Sequence, residues 1–299
     1  MNPNTFPFVI EDDNGEPVLS VTMRQPTIED QFAFRAALNS GLSDATTKIL
    51  NTCTVSAEDP GPWLAKADAD DNDPACGVDW ARVTSGIRMR ALFALKINSK
   101  KKGHLIDVDM LCPECEKEDA GFTAVVDARP IPDGELLWYE PEDINAVVEA
   151  IVTNSPLMSS VGGVEIGIKP PSGTLEASAE RFMKNARKSK VSLDEIKNQA
   201  SLYGMALRLA SVDGVHVNDH QRWVKQLTED DYDELEAATD ATDWGVELTF
   251  EATCPRGHLL AGEVPFVYLF GRPNTAMKAL RQRQRKRAHS KKRRPASQE

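Results

Sequence analysis

The chain has 299 residues, 41% of them hydrophobic, and a net charge of −11, enough length for two ordinary domains or one larger one with a real core. It has neither a run of roughly 18 to 20 apolar residues nor a basic and apolar leader at its start, so the expectation is a soluble protein that is not exported. Five scattered cysteines without a secretory signal point to reduced thiols or metal ligands in a cytoplasm, not to a disulfide framework.

Residues 1–17 are polar, carry three prolines and read as an N-terminal arm or edge strand. In VLSVTMRQPTIED, Val21 and Met23 alternate as in a strand, and after Pro26, Thr27 is placed to cap a helix bearing Phe32, Phe34, Ala37 and Leu38. The acidic stretch from Asp59 to Asp79 reads as a surface loop. Its Asp68, Asp70, Asn72 and Asp79 fall at calcium-loop positions, but Asp73 stands where that loop needs glycine. DWARVTSGIRMRALFALKI has helical spacing, with Val83, Ile87, Ala91 and Leu95 on one face. Two β-like runs then flank CPEC, Cys112 to Cys115, and residues 133–160 read as a linker with a helix of its own.

The order then repeats. Val164, Ile166 and Ile168 alternate, prolines follow, Thr174 leads a helix, and SLDEIKNQASLYGMALRLASVDG reads as another helix ended by a turn at Asp213–Gly214. A further helix is expected near LTEDDYDELEAAT, and two β-like runs bracket CPRGH, Cys254 to His258. The expected fold is therefore α+β. Two similar strand-helix-helix-strand modules, 18–132 and 161–272, each carry a Cys-Pro zinc-knuckle turn and are joined by the helical linker at 133–160.

A C-x2-C turn offers two thiolates to one ion, and a second turn must close a tetrahedral site. Cys254 matches Cys112, Gly257 stands where the second cysteine would be, and His258 follows it. The expected ligands of a structural Zn2+ are Cys112, Cys115, Cys254 and His258, with His104, Cys76 or His220 as alternatives for the fourth. A redox pair or unbound thiols remain open alternatives for CPEC. His216 and His220 have the spacing of a helical metal pair but sit among polar residues and read as a solvated loop. No nucleophile elbow, P-loop or Gly-rich dinucleotide turn is present, so an enzyme is not expected.

The tail, 273–299, is strongly basic and expected to be disordered or helical. From residue 278 onward it holds ten Lys or Arg and one acid, so it carries +9 and the remainder of the chain −20. Arg281, Arg283, Arg285, Lys286, Arg287, Lys291, Lys292, Arg293 and Arg294 could contact a phosphate backbone, although no aromatic residues interleave with them for base stacking.

The ordered set VTMRQPTIED, DWARVTSGIRMRAL, CPEC, LASVDGVHVND leading to VKQLTEDDYDEL, and FEATCPRGH before VPFVYLF resembles the baseplate hub assembly proteins of T-even-like contractile-tail bacteriophages. The resemblance covers roughly residues 18 to 270. Members usually have a second full cysteine pair where this chain has Gly257. The resemblance implies a tail-tip assembly protein or minor structural component that contacts hub or tape-measure proteins, with no catalytic residues. It would be found in the cytoplasm of the infected bacterial host or in the virion baseplate. The alternative is a zinc-ribbon protein that binds nucleic acid through its tail.

Overall fold

Asp12 shapes the first turn of the chain: its Oδ1 accepts from the backbone N–H groups of Asn14 and Glu16, both at 2.9 Å, and Gly15 supplies the positive φ of 78°. In the computed structural model, which describes residues 4–64, 77–99, 103–115, 120–131, 134–188 and 192–265, this turn joins β1 (Thr5–Glu11) to β2 (Pro17–Arg24). The expected N-terminal arm is thus in part an edge strand, with Phe8 and Ile10 turned into the core. Along β2, Leu19, Val21 and Met23 are completely buried, as strand alternation requires.

Thr27 caps α1 (Ile28–Ala37) in a reciprocal box with Asp30, whose carboxylate also takes the Arg24 guanidinium at 2.7 Å. Hydrogen bonds from Arg24, opposed by partial burial, hold the Asp30 carboxyl below its ordinary range. Next come α2 (Leu42–Cys53), which buries Ala45, Ile49, Leu50 and Cys53, and β3 (Thr54–Asp59), which adds antiparallel to β2. Helix α3 (Ser85–Asn98) presents Ile87, Ala91 and Leu95, all fully buried as expected from their spacing, and also buries Arg88 and Arg90. The expected helix begins too early: Asp79 accepts from the N–H of Ala81 and holds a turn before Thr84.

The chain continues through the hairpin of β4 (Leu105–Leu111) and β5 (Gly121–Asp127), then β6 (Trp138–Tyr139) and α4 (Ile144–Thr153). A Gly162–Gly163 turn, with φ of 54° and 78°, connects β7 (Leu157–Val161) to β8 (Val164–Ile168). Helices α5 (Gly173–Ala186) and α6 (Leu193–Arg208) follow, and then β9 (Leu209–Val212), which pairs with β8. The helix expected to run on to Asp213 therefore stops at Arg208. Leu209 and Val212 are needed in a core with Val161, Ile166, Ile168, Val224 and Leu235. The remaining elements are α7 (His220–Val224), α8 (Glu229–Asp240), β10 (Gly245–Val246) paired with β6, and the hairpin of β11 (Thr249–Thr253) and β12 (Leu259–Glu263).

The fold is mixed α+β, with several small antiparallel sheets. Sheet β1-β2-β3 has α1 and α2 between its second and third strands, and sheet β7-β8-β9 has α5 and α6 at the same place. Residues 1–101 and 138–247 form one compact unit, and 102–137 with 248–299 form the other. This spatial division cuts across the expected modules: both three-stranded sheets fall in the first unit, whereas both Cys-Pro hairpins fall in the second.

A buried charge joins the two halves of the first unit. Arg88 of α3 donates to the Ser43 carbonyl at 2.7 Å, to Thr47 Oγ1 at 2.9 Å and to Glu176 of α5 at 2.5 Å, with its side chain 2% exposed. Ser43 Oγ donates to the Gly173 carbonyl, and Glu180 accepts from the Ser43 N–H. Gly173 permits this close approach, since a Cβ there would lie 2.0 Å from Arg88 Nη1.

Candidate metal centre

The second unit is built around two hairpins. In β4–β5, Ile106, Val108, Ala124 and Val126 turn inward, while the connection carries Cys112 and Cys115; the Cys112 N–H donates to the Ala120 carbonyl at 2.7 Å. In β11–β12, the Cys254 N–H donates to the His258 carbonyl at 3.0 Å, and the Gly257 N–H to the Cys254 carbonyl at 2.9 Å. Gly257 has φ of 90°, so the position where a matched knuckle would carry its second cysteine is used for a left-handed turn. The donor is displaced by one residue, to His258.

Cys115 Sγ lies 3.8 Å from Cys254 Sγ, and His258 Nδ1 lies 3.5 Å from each of the three sulfurs. A tetrahedral zinc with Zn–S near 2.3 Å and Zn–N near 2.05 Å requires S···S edges of about 3.8 Å and S···N edges of about 3.5 Å. The four donors can therefore hold a metal ion and fit zinc. Cys112 and Cys254 are buried, and Cys115 and His258 half-buried, so the ring is enclosed by its own hairpins. His258 turns Nδ1 toward the sulfurs and leaves Nε2 on the far side, 3.6 Å from Glu114 Oε2.

Burial and the two neighbouring thiols push the Cys115 thiol up to about 12. At Cys254, burial acts in the same upward direction but is outweighed by the backbone N–H groups of His258 and Arg256, which bring the thiol down to about 6. Three sulfurs in contact cannot all ionise without a compensating cation, the chemistry expected of a metal-binding set.

The alternatives for the fourth ligand lie elsewhere. His104 is outside the cluster, its carbonyl accepting from the Ala128 N–H. His220 is 3% exposed and hydrogen-bonds Leu209 within the first unit, so it belongs to the core and not to the expected solvated loop. His216 Nδ1 accepts from the Asn218 N–H, which separates it from any paired role with His220. Cys76, the candidate calcium positions Asp68, Asp70 and Asn72, and the tail residues Arg281, Arg283, Arg285, Lys286, Arg287, Lys291, Lys292, Arg293 and Arg294 lie outside the described residues. Cys53 is wholly buried, and burial pushes its thiol up to about 12, which marks an inert core residue. Among the described residues, sequence reading missed Glu114 as a polar neighbour of the cluster; its signal was its place inside the C-x2-C turn.

No family model matches the chain, and no curated protein or solved structure matches it. Among the described residues, no helix is long and apolar enough to cross a membrane, and no second cluster of this kind is found.

Proposed function

We propose that the protein is a non-catalytic assembly or minor structural component in which a zinc ion holds the two hairpins of the second unit together. The observation that carries this reading is the set of donor separations, 3.5 and 3.8 Å, among Cys112, Cys115, Cys254 and His258. Zinc bound there would supply charge neutralisation and four strong bonds. With all four positions taken by protein, no site is left for water or substrate. The two three-stranded sheets with helix pairs at equivalent places, each followed in the chain by a Cys-Pro hairpin, support a duplicated origin. The sequence resemblance supports a role at the baseplate hub of a contractile-tail phage, with hub or tape-measure proteins as partners.

Native mass spectrometry of the full chain tests the metal. One zinc per chain, lost in both Cys112→Ser and Cys254→Ser, is expected; zinc retained without Cys254 would separate the two hairpins and overturn the reading. The assembly role predicts salt-tolerant complexes with hub or tape-measure proteins, and their failure to form would refute it. The +9 tail favours a second reading, nucleic-acid binding. That reading requires salt-sensitive binding that disappears when residues 278–299 are removed.

A further inference from the structure

We infer that Glu114 is a positioning residue for the metal centre: from inside the CPEC turn it accepts the Nε2 proton of His258 and so commits Nδ1 to the metal. The inference rests on the zinc reading above and deepens it. A neutral imidazole has one N–H and one lone pair, and only the nitrogen without the proton can bind a metal. His258 turns Nδ1 to three sulfurs at 3.5 Å each, so a metal bound among them would take the Nδ1 lone pair and leave the ring proton on Nε2. Among the described residues, the Glu114 carboxylate faces Nε2 at 3.6 Å, a separation that a small rotation of an exposed side chain converts to a hydrogen bond. Metal-bound imidazoles generally donate their second N–H to such an acceptor, which fixes the tautomer and makes the ring a better ligand.

Two features of the chain favour such a partner. His258 follows Gly257, the left-handed residue of the turn, so its ring enters the site by its nearer nitrogen, Nδ1, and its outer edge is left to be held from elsewhere. His258 is also the ligand in place of a second cysteine. A thiolate would need no tautomer control, whereas an imidazole does. Glu114 comes from the opposite hairpin, so the contact also ties CPEC to CPRGH outside the ring of ligands. Its side chain is 65% exposed, so replacing it does not open a hole in the unit.

The test compares Glu114→Ala and Glu114→Gln with the wild-type full chain, using zinc affinity from chelator competition and long-range proton–nitrogen NMR of the His258 ring. Wild type is expected to show nitrogen shifts of an Nε2–H, Nδ1-bound imidazole. Glu114→Ala is expected to weaken zinc binding by about 10- to 100-fold. Glu114→Gln keeps an acceptor oxygen and should recover most of that loss. Wild-type affinity in Glu114→Ala, or a Glu114→Gln variant as weak as Glu114→Ala, overturns the positioning role while leaving the zinc site standing. Absence of zinc from the wild-type chain removes the zinc reading itself, and the two failures are thereby told apart.

Discussion

Arg88 gives the sharpest energetic prediction. Its guanidinium is buried against Ser43, Thr47 and Glu176, while Glu176 itself is 38% exposed. Glu176→Ala therefore strands a buried cation, whereas Arg88→Met removes the charge and leaves a carboxylate that water can reach. Breaking a buried pair from one side costs about 3 to 5 kcal/mol, and the partial exposure of Glu176 together with the nearby Glu180 carboxylate lowers this to about 2 to 3. Arg88→Met should cost about 1 to 2 kcal/mol, mainly from the Ser43 carbonyl losing its charged donor. The double variant should then be more stable than Glu176→Ala alone by about 1 kcal/mol, because the stranded charge is gone. All five tryptophans, Trp63, Trp80, Trp138, Trp223 and Trp244, lie in the first unit, so tryptophan emission during urea unfolding reads that unit alone. A double variant less stable than Glu176→Ala, or a Glu176→Ala cost below about 0.5 kcal/mol, would show that the pair is only a surface contact.

Gly86→Ala should destabilise the first unit more than an ordinary helix substitution, because its Cβ would lie 1.3 Å from the Trp244 carbonyl oxygen, a backbone atom that cannot swing away; thermal melting followed by tryptophan emission checks this. Burial, opposed chiefly by the Arg208 charge, pushes the Asp243 carboxyl up to about 7. Between about pH 4 and 7 the folded state then holds a proton that the unfolded state has released, so this group's contribution is full below pH 4 and is lost as pH rises through 7. Asp243→Asn should flatten that decline in a series of urea midpoints against pH, and an unchanged slope would refute the assignment. Chelation of the metal should abolish hydrogen-exchange protection in β4–β5 and β11–β12 while tryptophan emission stays as it was; loss of both signals together would show that the metal supports the whole chain.

Much of the fold could be read locally. Thr27 before α1, the four-residue spacing from Val83 to Leu95 and the acidic run of α8 after Thr228 are short-range signals, and each marks an observed element. Helix α2 and strand β3 escaped because LSDATTKILNTCTVSAED interrupts its apolar positions with threonines that favour neither a clear helix nor a clear strand. The switch from α6 to β9 at Leu209 carries no glycine or proline. Only the pairing of Ile166 and Ile168 with Val212 and Leu209 decides it, a contact made at long sequence distance. The buried Arg88 and Arg90 sat in plain view as charges and gave no sign of being core residues. At the candidate metal centre the four clustered donors were legible because thiols in Cys-Pro turns are rare and chemically specific. Glu114 was not, since a glutamate in a turn ordinarily means only that the turn is wet.

The spatial division also bears on where a bound metal would contribute most to folding. The first unit has two three-stranded sheets, paired helices and a core that includes three fully buried tryptophans. The described strands of the second form two separate two-stranded ladders, and an isolated pair of strands is marginal in water. Its inward residues, among them Ile106, Val108, Val126 and Phe250, are few, and Gly262 lets Phe250 and Met110 close over the space where a side chain would have been. Hairpins drawn from such distant parts of the chain must recover the entropy of being brought together, and a small apolar patch recovers little of it. One ion held by two residues from each hairpin would supply that deficit directly, since the free energy of binding a metal to a site absent from the unfolded chain is free energy of folding. The displaced histidine is consistent with this division of labour: a tetrahedral site would need four donors of the right reach, and Gly257 and His258 together offer the fourth where a single cysteine would otherwise do so.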